Sequence, residues 1–357
     1  MLSRRRTLKL TAGAAALVSG AMAARPALSV TAGWRPGRIP YGACIRLEPL
    51  ESEPDYRAAL QAHCQQVTPE GGLFWADLRP ARDQFKFDIA DAVLAFADAN
   101  EMVMRGHTLV WYGAMPDWTK AISSAAEAER EMSTHIERVM SRYSGKIKTW
   151  HVVNEPINDT KASALGLRPN VWLQNLGEKY IDLAFRTAHA VDPTAELIIN
   201  EYDVECLDDM SAKRRGAYLQ LISNLVARGV PIHGVGLQGH IKSRYGIDRD
   251  GVFNFASAVR SLGLSVHVTE LDVIDDTFPS PIAEHDAMVA SRARDFLEPI
   301  RAAIRPSIIA TWGITDRYTW VPIWYKRRDG LPNRPLPFDD HYQPKPLWQV
   351  IDYFCNQ

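Results

Sequence analysis

Short apolar runs of β-type residues recur along this chain, with helical patterns between them. They cover Tyr41–Leu47, Met102–Trp111, Ile147–Val153, Glu196–Asn200, Gly234–Gln238, Ser265–Thr269 and Ser307–Trp312, with a weaker run at Gln65–Thr68. Between them Ala128–Tyr143 carries apolar residues at three- and four-residue steps, and Trp172–Ala190 and Tyr218–Ala227 do the same. Continuous apolar strands alternating with helices belong to parallel sheets covered on both faces. This number of units fits a single (β/α)8 TIM barrel. A doubly wound open sheet is the alternative. Such sheets usually carry a Gly-rich phosphate turn after the first strand, and no G-x-G-x-x-G stands there.

The polar residues add a spatial argument. His107, Glu155, Asn200, Gln238, Glu270 and Trp312 each fall in or at the C-terminal end of an expected strand, one strand–helix unit apart. In a barrel these positions converge on the rim where barrel enzymes keep their chemistry. Glu155 ends Trp150-His151-Val152-Val153-Asn154-Glu155, and Glu270 ends Val266-His267-Val268-Thr269-Glu270. Glycosidic cleavage needs one carboxyl group protonated to release the leaving oxygen and another ionised across the sugar ring. Two glutamates at the mouths of different strands can supply that pair. Either alone reads as a helix cap or an arginine partner. Glu48, Glu51 and Glu53, after the first strand, read as solvated or helix-capping.

The chain has 357 residues and a net charge of −1, from 41 basic and 42 acidic side chains. That balance gives no electrostatic reason to expect nucleic acid or an anionic membrane as partner. No cofactor fingerprint or metal-ligand cluster is visible, so no metal and no cofactor are expected, and the protein is read as a monomer. Cys44, Cys64, Cys206 and Cys355 form no C-x-x-C pair. An oxidising compartment would permit disulfides in any of three full pairings.

The first residues read as an export signal. Ser3-Arg4-Arg5-Arg6-Thr7-Leu8 resembles the twin-arginine signal of bacteria, the run Leu10 to Ala23 is too short and Ala-rich to span a bilayer, and Ala21-Met22-Ala23 is an A-x-A-like cleavage site. An ordinary secretory signal or an uncleaved anchor is the alternative. Residues 1–23 are thus expected to be the signal and 24–357 the catalytic domain, working in the periplasm or outside the cell.

From about Tyr41 to Phe354 the chain resembles glycoside hydrolase family 10, the retaining endo-β-1,4-xylanases. The motifs that carry the likeness stand in family order: Arg105-Gly106-His107-Thr108-Leu109-Val110-Trp111, Trp150 to Glu155, Asn200-Glu201-Tyr202, Gly234 to His240, Thr269-Glu270-Leu271-Asp272, Trp312-Gly313 to Trp320, and Tyr342-Gln343-Pro344-Lys345-Pro346-Leu347. The resemblance implies Glu155 as general acid/base and Glu270 as nucleophile, their carboxyl groups roughly 5–5.5 Å apart as retention requires. It implies Asn154 on the 2-hydroxyl of the −1 sugar, Gln238 beside the acid/base and His240 orienting Glu270. It also implies His107 on the other side of that sugar, walls formed by Trp111, Trp312 and Trp320, Tyr202 toward the +1 side, and Glu70 among the glycone contacts. Glu201 and Asp272 read as support rather than direct chemistry.

The departures are concentrated near the second and third strands. After Thr68-Pro69-Glu70 the chain has Gly71, where the family has an Asn that binds the −2 sugar, and Phe74, where it has Lys. Tyr112 and Ala114 replace His and Gln, and Asp203 stands where Asn is usual. Losing polar partners for sugar hydroxyls should weaken or alter −2 recognition; Phe74 and Tyr112 could substitute stacking. The expected substrate is a xylan-like polysaccharide or oligosaccharide. An exo-acting or oligosaccharide-specific β-glycosidase is the nearest alternative, and a silent saccharide-binding protein a more distant one.

Overall fold

A computed structural model describes residues 37–158 and 165–357. The expected export signal lies outside the described residues, as do 24–36 of the expected catalytic domain. Parallel strands close into an eight-membered barrel: β1 (Tyr41–Ile45), β2 (Gln66–Pro69), β3 (Val103–Val110), β4 (Thr149–Asn154), β5 (Glu196–Glu201), β6 (Gly234–Leu237), β7 (Ser265–Ile274) and β8 (Ile309–Thr311). Closure comes from β1 pairing with β8, Tyr41 opposite Ile309. An open sheet is thereby excluded.

Helices pack around the strands: α1 (Pro54–His63), α2 (Asp88–Ala99), α3 (Ala125–Tyr143), α4 (Lys179–Val191), α5 (Asp209–Ala227), α6 (Arg249–Ser261), α7 (Ile282–Ala303) and α8 (Pro346–Cys355). The strands are buried almost end to end because helices cover one face and barrel filling the other. That is why they read as unbroken apolar runs. Caps set the helix starts. Ser124 accepts from the Glu127 amide at the start of α3, and Asp208 accepts from the Met210 and Ser211 amides at the start of α5. The Asp208 cap carries α5 back beyond the expected Tyr218–Ala227.

The expected helix Trp172–Ala190 is two helices, Val171–Leu176 and α4. Gly177, at φ 63° and ψ −164°, ends the first in a positive-φ conformation open essentially to glycine alone. A short strand, His240–Lys242, was not expected. It lies along the far half of β7, with His240 opposite Asp272, and so turns the His240 ring into the barrel mouth. Glu53 is not simply solvated. It accepts hydrogen bonds from Tyr318 and from Tyr342 (2.7 Å), tying the entrance to α1 to the C-terminal segment. All four cysteines are free and buried. No helix among the described residues is long and apolar enough to cross a membrane.

Candidate active site

The barrel mouth is built where β4, β5, β6 and β7 end. Asn154 is the last residue of β4, and Glu155 follows at φ 53° with its amide bonded to the Asn200 carbonyl (2.8 Å). The left-handed turn swings the Glu155 side chain over the mouth, where Trp111 Nε1 donates to Oε2 (3.0 Å) and Gln238 Nε2 to Oε1 (3.1 Å). Glu270 sits midway along β7, 3 % exposed. Asn200 Nδ2 donates to its Oε1 (2.6 Å), and His240 Nε2 faces its Oε2 (3.2 Å).

The two carboxyl groups belong to one hydrogen-bonded network. Asn200 Nδ2 also reaches Asn154 Oδ1 (2.8 Å), and Asn154 Nδ2 donates to Glu155 Oε1 (3.1 Å). Thr269 donates to Asn200 Oδ1 (2.7 Å), which fixes the amide with its donor side toward Asn154 and Glu270. Gly236 makes this possible, because a Cβ there would stand 2.0 Å from Asn200 Oδ1. A glycine in β6 is therefore a steric condition of the site one strand away.

Environment separates the two glutamates. Burial, helped by the charge of Glu270, raises the Glu155 pKa against the hydrogen bonds from Trp111 and Gln238. Burial would raise Glu270 too. The hydrogen bond from His240, the charges of His107 and His240 in acid and the hydrogen bond from Asn200 outweigh it and hold Glu270 below its ordinary value. One carboxyl therefore keeps its proton to higher pH than an ordinary glutamate, and the other stays ionised to lower pH. Opposed shifts of neighbouring carboxyls are the signature of a divided acid and base.

The two mouth histidines differ in the same way. His240 places Nδ1 on Asp272 Oδ1 (2.9 Å) and Nε2 on Glu270, a carboxylate at each nitrogen. Burial would lower its pKa, but the charge and hydrogen bond of Asp272, reinforced by Glu270, hold it well above the ordinary value as an imidazolium. Trp320 Nε1 donates to the other Asp272 oxygen (2.7 Å), locking the pair. His107, on β3, is pushed down to about 4 by burial and is neutral at ordinary pH. Its ring lies 5.2 Å from that of Trp312 and 5.7 Å from that of Phe74, both edge-on.

Of the residues expected from sequence, Glu155, Glu270, Asn154, Gln238, His240, Trp111 and Trp320 share the hydrogen-bonded assembly, with His107 and Trp312 against it. Tyr202 joins at one remove: Arg168 donates to its hydroxyl (2.7 Å) and to the Glu155 carbonyl (3.1 Å), and stacks on the Tyr112 ring at 4.2 Å. Glu70 stands apart from this network. It pairs with Arg46 through Nε (2.6 Å) and Nη2 (3.1 Å) at the end of β2.

Asn200, expected at the rim but given no role there, and Asp272, expected only as support, hold the network together, with Arg168, which was not expected. Asn200 and Asp272 stood in the matching motifs, so the signal was present. Arg168 lies in a loop with no period to mark it. Glu201 supports the mouth from below, accepting the Ile157 amide (2.8 Å), and burial raises it to about 8.

His107, His151 and Glu270 bring ligand-type atoms within 4.8 Å of one another. The two Nδ1 atoms, however, are in direct contact at 2.6 Å. An ion about 2 Å from each nitrogen would hold them more than ~3 Å apart, so the histidines fit a hydrogen-bonded pair and not a metal centre. A cavity of about 370 Å³ lies under the opposite, N-terminal ends of the strands, lined by Gln66, Arg105, Lys148, Glu196 and His267 among others, away from the glutamates.

The family model described as Glycosyl hydrolase family 10 matches residues 34–353. The chain is 34 % identical over 312 residues to a β-1,4-xylanase of Dictyoglomus thermophilum, covering 84 % of this chain and 84 % of that protein. It is 34 % identical over 325 residues to endo-1,4-β-xylanase B of Paenibacillus barcinonensis, covering 87 % and 94 %. Among solved structures it is similar to xylanase 10B of Thermotoga petrophila in complex with xylobiose. The TM-score there is 0.80, with 29 % identity over 89 % of this chain and 94 % of that one.

Proposed function

Since the chain belongs to glycosyl hydrolase family 10, we propose that it is a retaining endo-β-1,4-xylanase in which Glu155 is the general acid/base and Glu270 the nucleophile. The observation that carries this reading is the opposed pKa shifts of two glutamates joined by one hydrogen-bonded network. Glu270 attacks the anomeric carbon of the −1 sugar while Glu155 gives its proton to the departing glycosidic oxygen. The bond to the leaving sugar breaks as the glycosyl–Glu270 ester forms. With Glu270 esterified its charge is gone, so one of the causes that raises Glu155 disappears. Glu155 then ionises more readily and takes a proton from the water that hydrolyses the ester.

Asn154 offers its amide to the 2-hydroxyl, a contact that gains strength as charge develops at the ring. Trp111, Trp312 and Trp320 wall the −1 sugar, and Tyr202 stands toward +1. Glu70, held by Arg46, faces the glycone side. There Phe74, 5.2 Å from Trp111, stands in place of a polar group. Recognition at −2 therefore depends on ring stacking more than on hydrogen bonds. Residues 1–23 direct export, and the enzyme acts in the periplasm or outside the cell.

The test is a product profile from xylan with the anomer of the first product read by proton NMR. Release of oligosaccharides as the β-anomer is expected. Release of xylose alone would replace the endo reading with an exo-acting one, and a first-formed α-anomer would overturn the assignment of Glu270. The kcat/KM profile against pH should be bell-shaped. Its acid limb reports Glu270, displaced below the ordinary carboxylate range, and its alkaline limb Glu155, displaced above it.

A further inference from the structure

From His107 runs a chain of bases, His107, His151 and Arg105, and no carboxylate among the described residues is hydrogen-bonded to any of the three. Arg105, 1 % exposed, directs Nη1 at His151 Nε2 (3.4 Å) and Nη2 at His267 Nδ1 (3.3 Å). His151, fully buried, meets His107 Nδ1 to Nδ1 at 2.6 Å. A guanidinium can only donate. His151 Nε2 must therefore be a bare lone pair, which puts the His151 proton on Nδ1. That proton lies between the two rings, so His107 Nδ1 is bare as well and the His107 proton sits on Nε2. No hydrogen bond joins that Nε2 to any described residue, and the ring borders Glu270 and Trp312. His267 obeys the same rule, since its Nε2 faces Ser265 (3.0 Å) and the Glu196 carboxylate (3.2 Å) while Nδ1 accepts from Arg105.

We propose that His151, oriented by Arg105, is a positioning residue that holds His107 as the neutral Nε2–H tautomer, so that His107 offers a sugar hydroxyl one directed donor and no positive charge. Charging His107 would set two N–H groups against each other at the Nδ1 contact, or would force His151 to turn a proton toward Arg105. Either costs a buried hydrogen bond. The consequence falls on Glu270. It already leans on one imidazolium, His240, and a second cation beside it would hold the carboxylate too firmly to attack well. The charged and titratable groups facing His107 and His151 are Arg105 on their own layer, Glu270 and His267 from β7, and His240.

The proposal deepens the glycosidase reading, but its first test does not depend on activity. Two-bond proton–nitrogen NMR of the ¹⁵N-histidine-labelled protein at neutral pH should show His107 protonated on Nε2 only and His151 on Nδ1 only, assigned with H107Q. Protonation of His107 Nδ1, alone or as an imidazolium, overturns it whatever the substrate proves to be. The second test is His151→Asp. A carboxylate there can only accept, so His107 should move its proton to Nδ1 and become an imidazolium near neutral pH. The acid limb of kcat should move lower, and kcat should fall about tenfold with KM little changed. A His107 spectrum and a pH profile both identical to wild type in this variant would assign His151 to packing alone.

Discussion

Along the rim from β4 to β7, Asn154, Glu155, Asn200, Gln238, His240 and Glu270 hold one another through side-chain hydrogen bonds. Along the rim from β2 to β3, Gly71 and Gly72 turn the chain at φ 86° and 74°, and Phe74, Trp111 and Tyr112 follow, meeting neighbours mainly through ring faces and edges. The first rim is a set of polar atoms whose positions depend on one another, so moving any member leaves a buried partner unsatisfied. The second is mainly a surface of flat groups, tied to the first where Trp111 donates to Glu155. Tyr112 is 39 % exposed, with Arg168 over its ring. Chemistry demands the first kind of construction. Recognition of a neighbouring sugar, the role proposed for Phe74, can be met by the second.

Substitutions at the two rims should therefore differ in kind as well as in size. Glu270→Ala should lower turnover of xylan and of an aryl xyloside alike by about 10⁴-fold or more, since it removes the proposed nucleophile. Steady-state kinetics on both substrates checks this, and a variant that retained a tenth of wild-type activity would break the comparison. Phe74→Ala should have an effect on the order of tenfold in kcat/KM on xylooligosaccharides, and a smaller one on an aryl xyloside that does not reach the −2 sugar. An equal loss on both would mean that Phe74 serves the −1 sugar instead.

The smallest effect concerns stability. Glu201, buried beneath the polar rim, has a folded pKa of about 8, above its ordinary value. The folded state therefore binds the proton more tightly than the unfolded chain. This group's contribution is complete in acid and is lost as pH rises from about 5 to about 8. Glu201→Gln should flatten that decline, with Tm changing by a few degrees across the window in wild type and less in the variant. Thermal melts from pH 5 to 8 measure it, and a wild-type Tm that rises with pH would contradict the assignment.

The barrel was legible because parallel strands buried on both faces leave unbroken apolar runs, such as β7 from Ser265 to Ile274. Glu155 was legible as a carboxylate ending such a run, and Glu270 was read the same way, although β7 continues past it to Ile274. His240–Lys242 was not legible, since three residues carry no period and the strand exists only because β7 runs on beside it. Nor was the break at Gly177, where helical spacing continues on both sides of one residue at positive φ. The roles of Asn200 and Arg168 depend on which strands and loops the closed barrel brings together, and no local pattern encodes that. The same holds for Glu53, whose partners Tyr318 and Tyr342 lie at the other end of the chain.

The division of labour between the two glutamates can be read directly from the intermediate it requires. A 2-deoxy-2-fluoro-β-xylobioside with a good leaving group slows the second step more than the first, and the glycosylated enzyme can then be digested and mapped by mass spectrometry. The label should sit on the peptide containing Glu270 and nowhere else. A label on Glu155, on Glu70 or on any other residue would contradict the account.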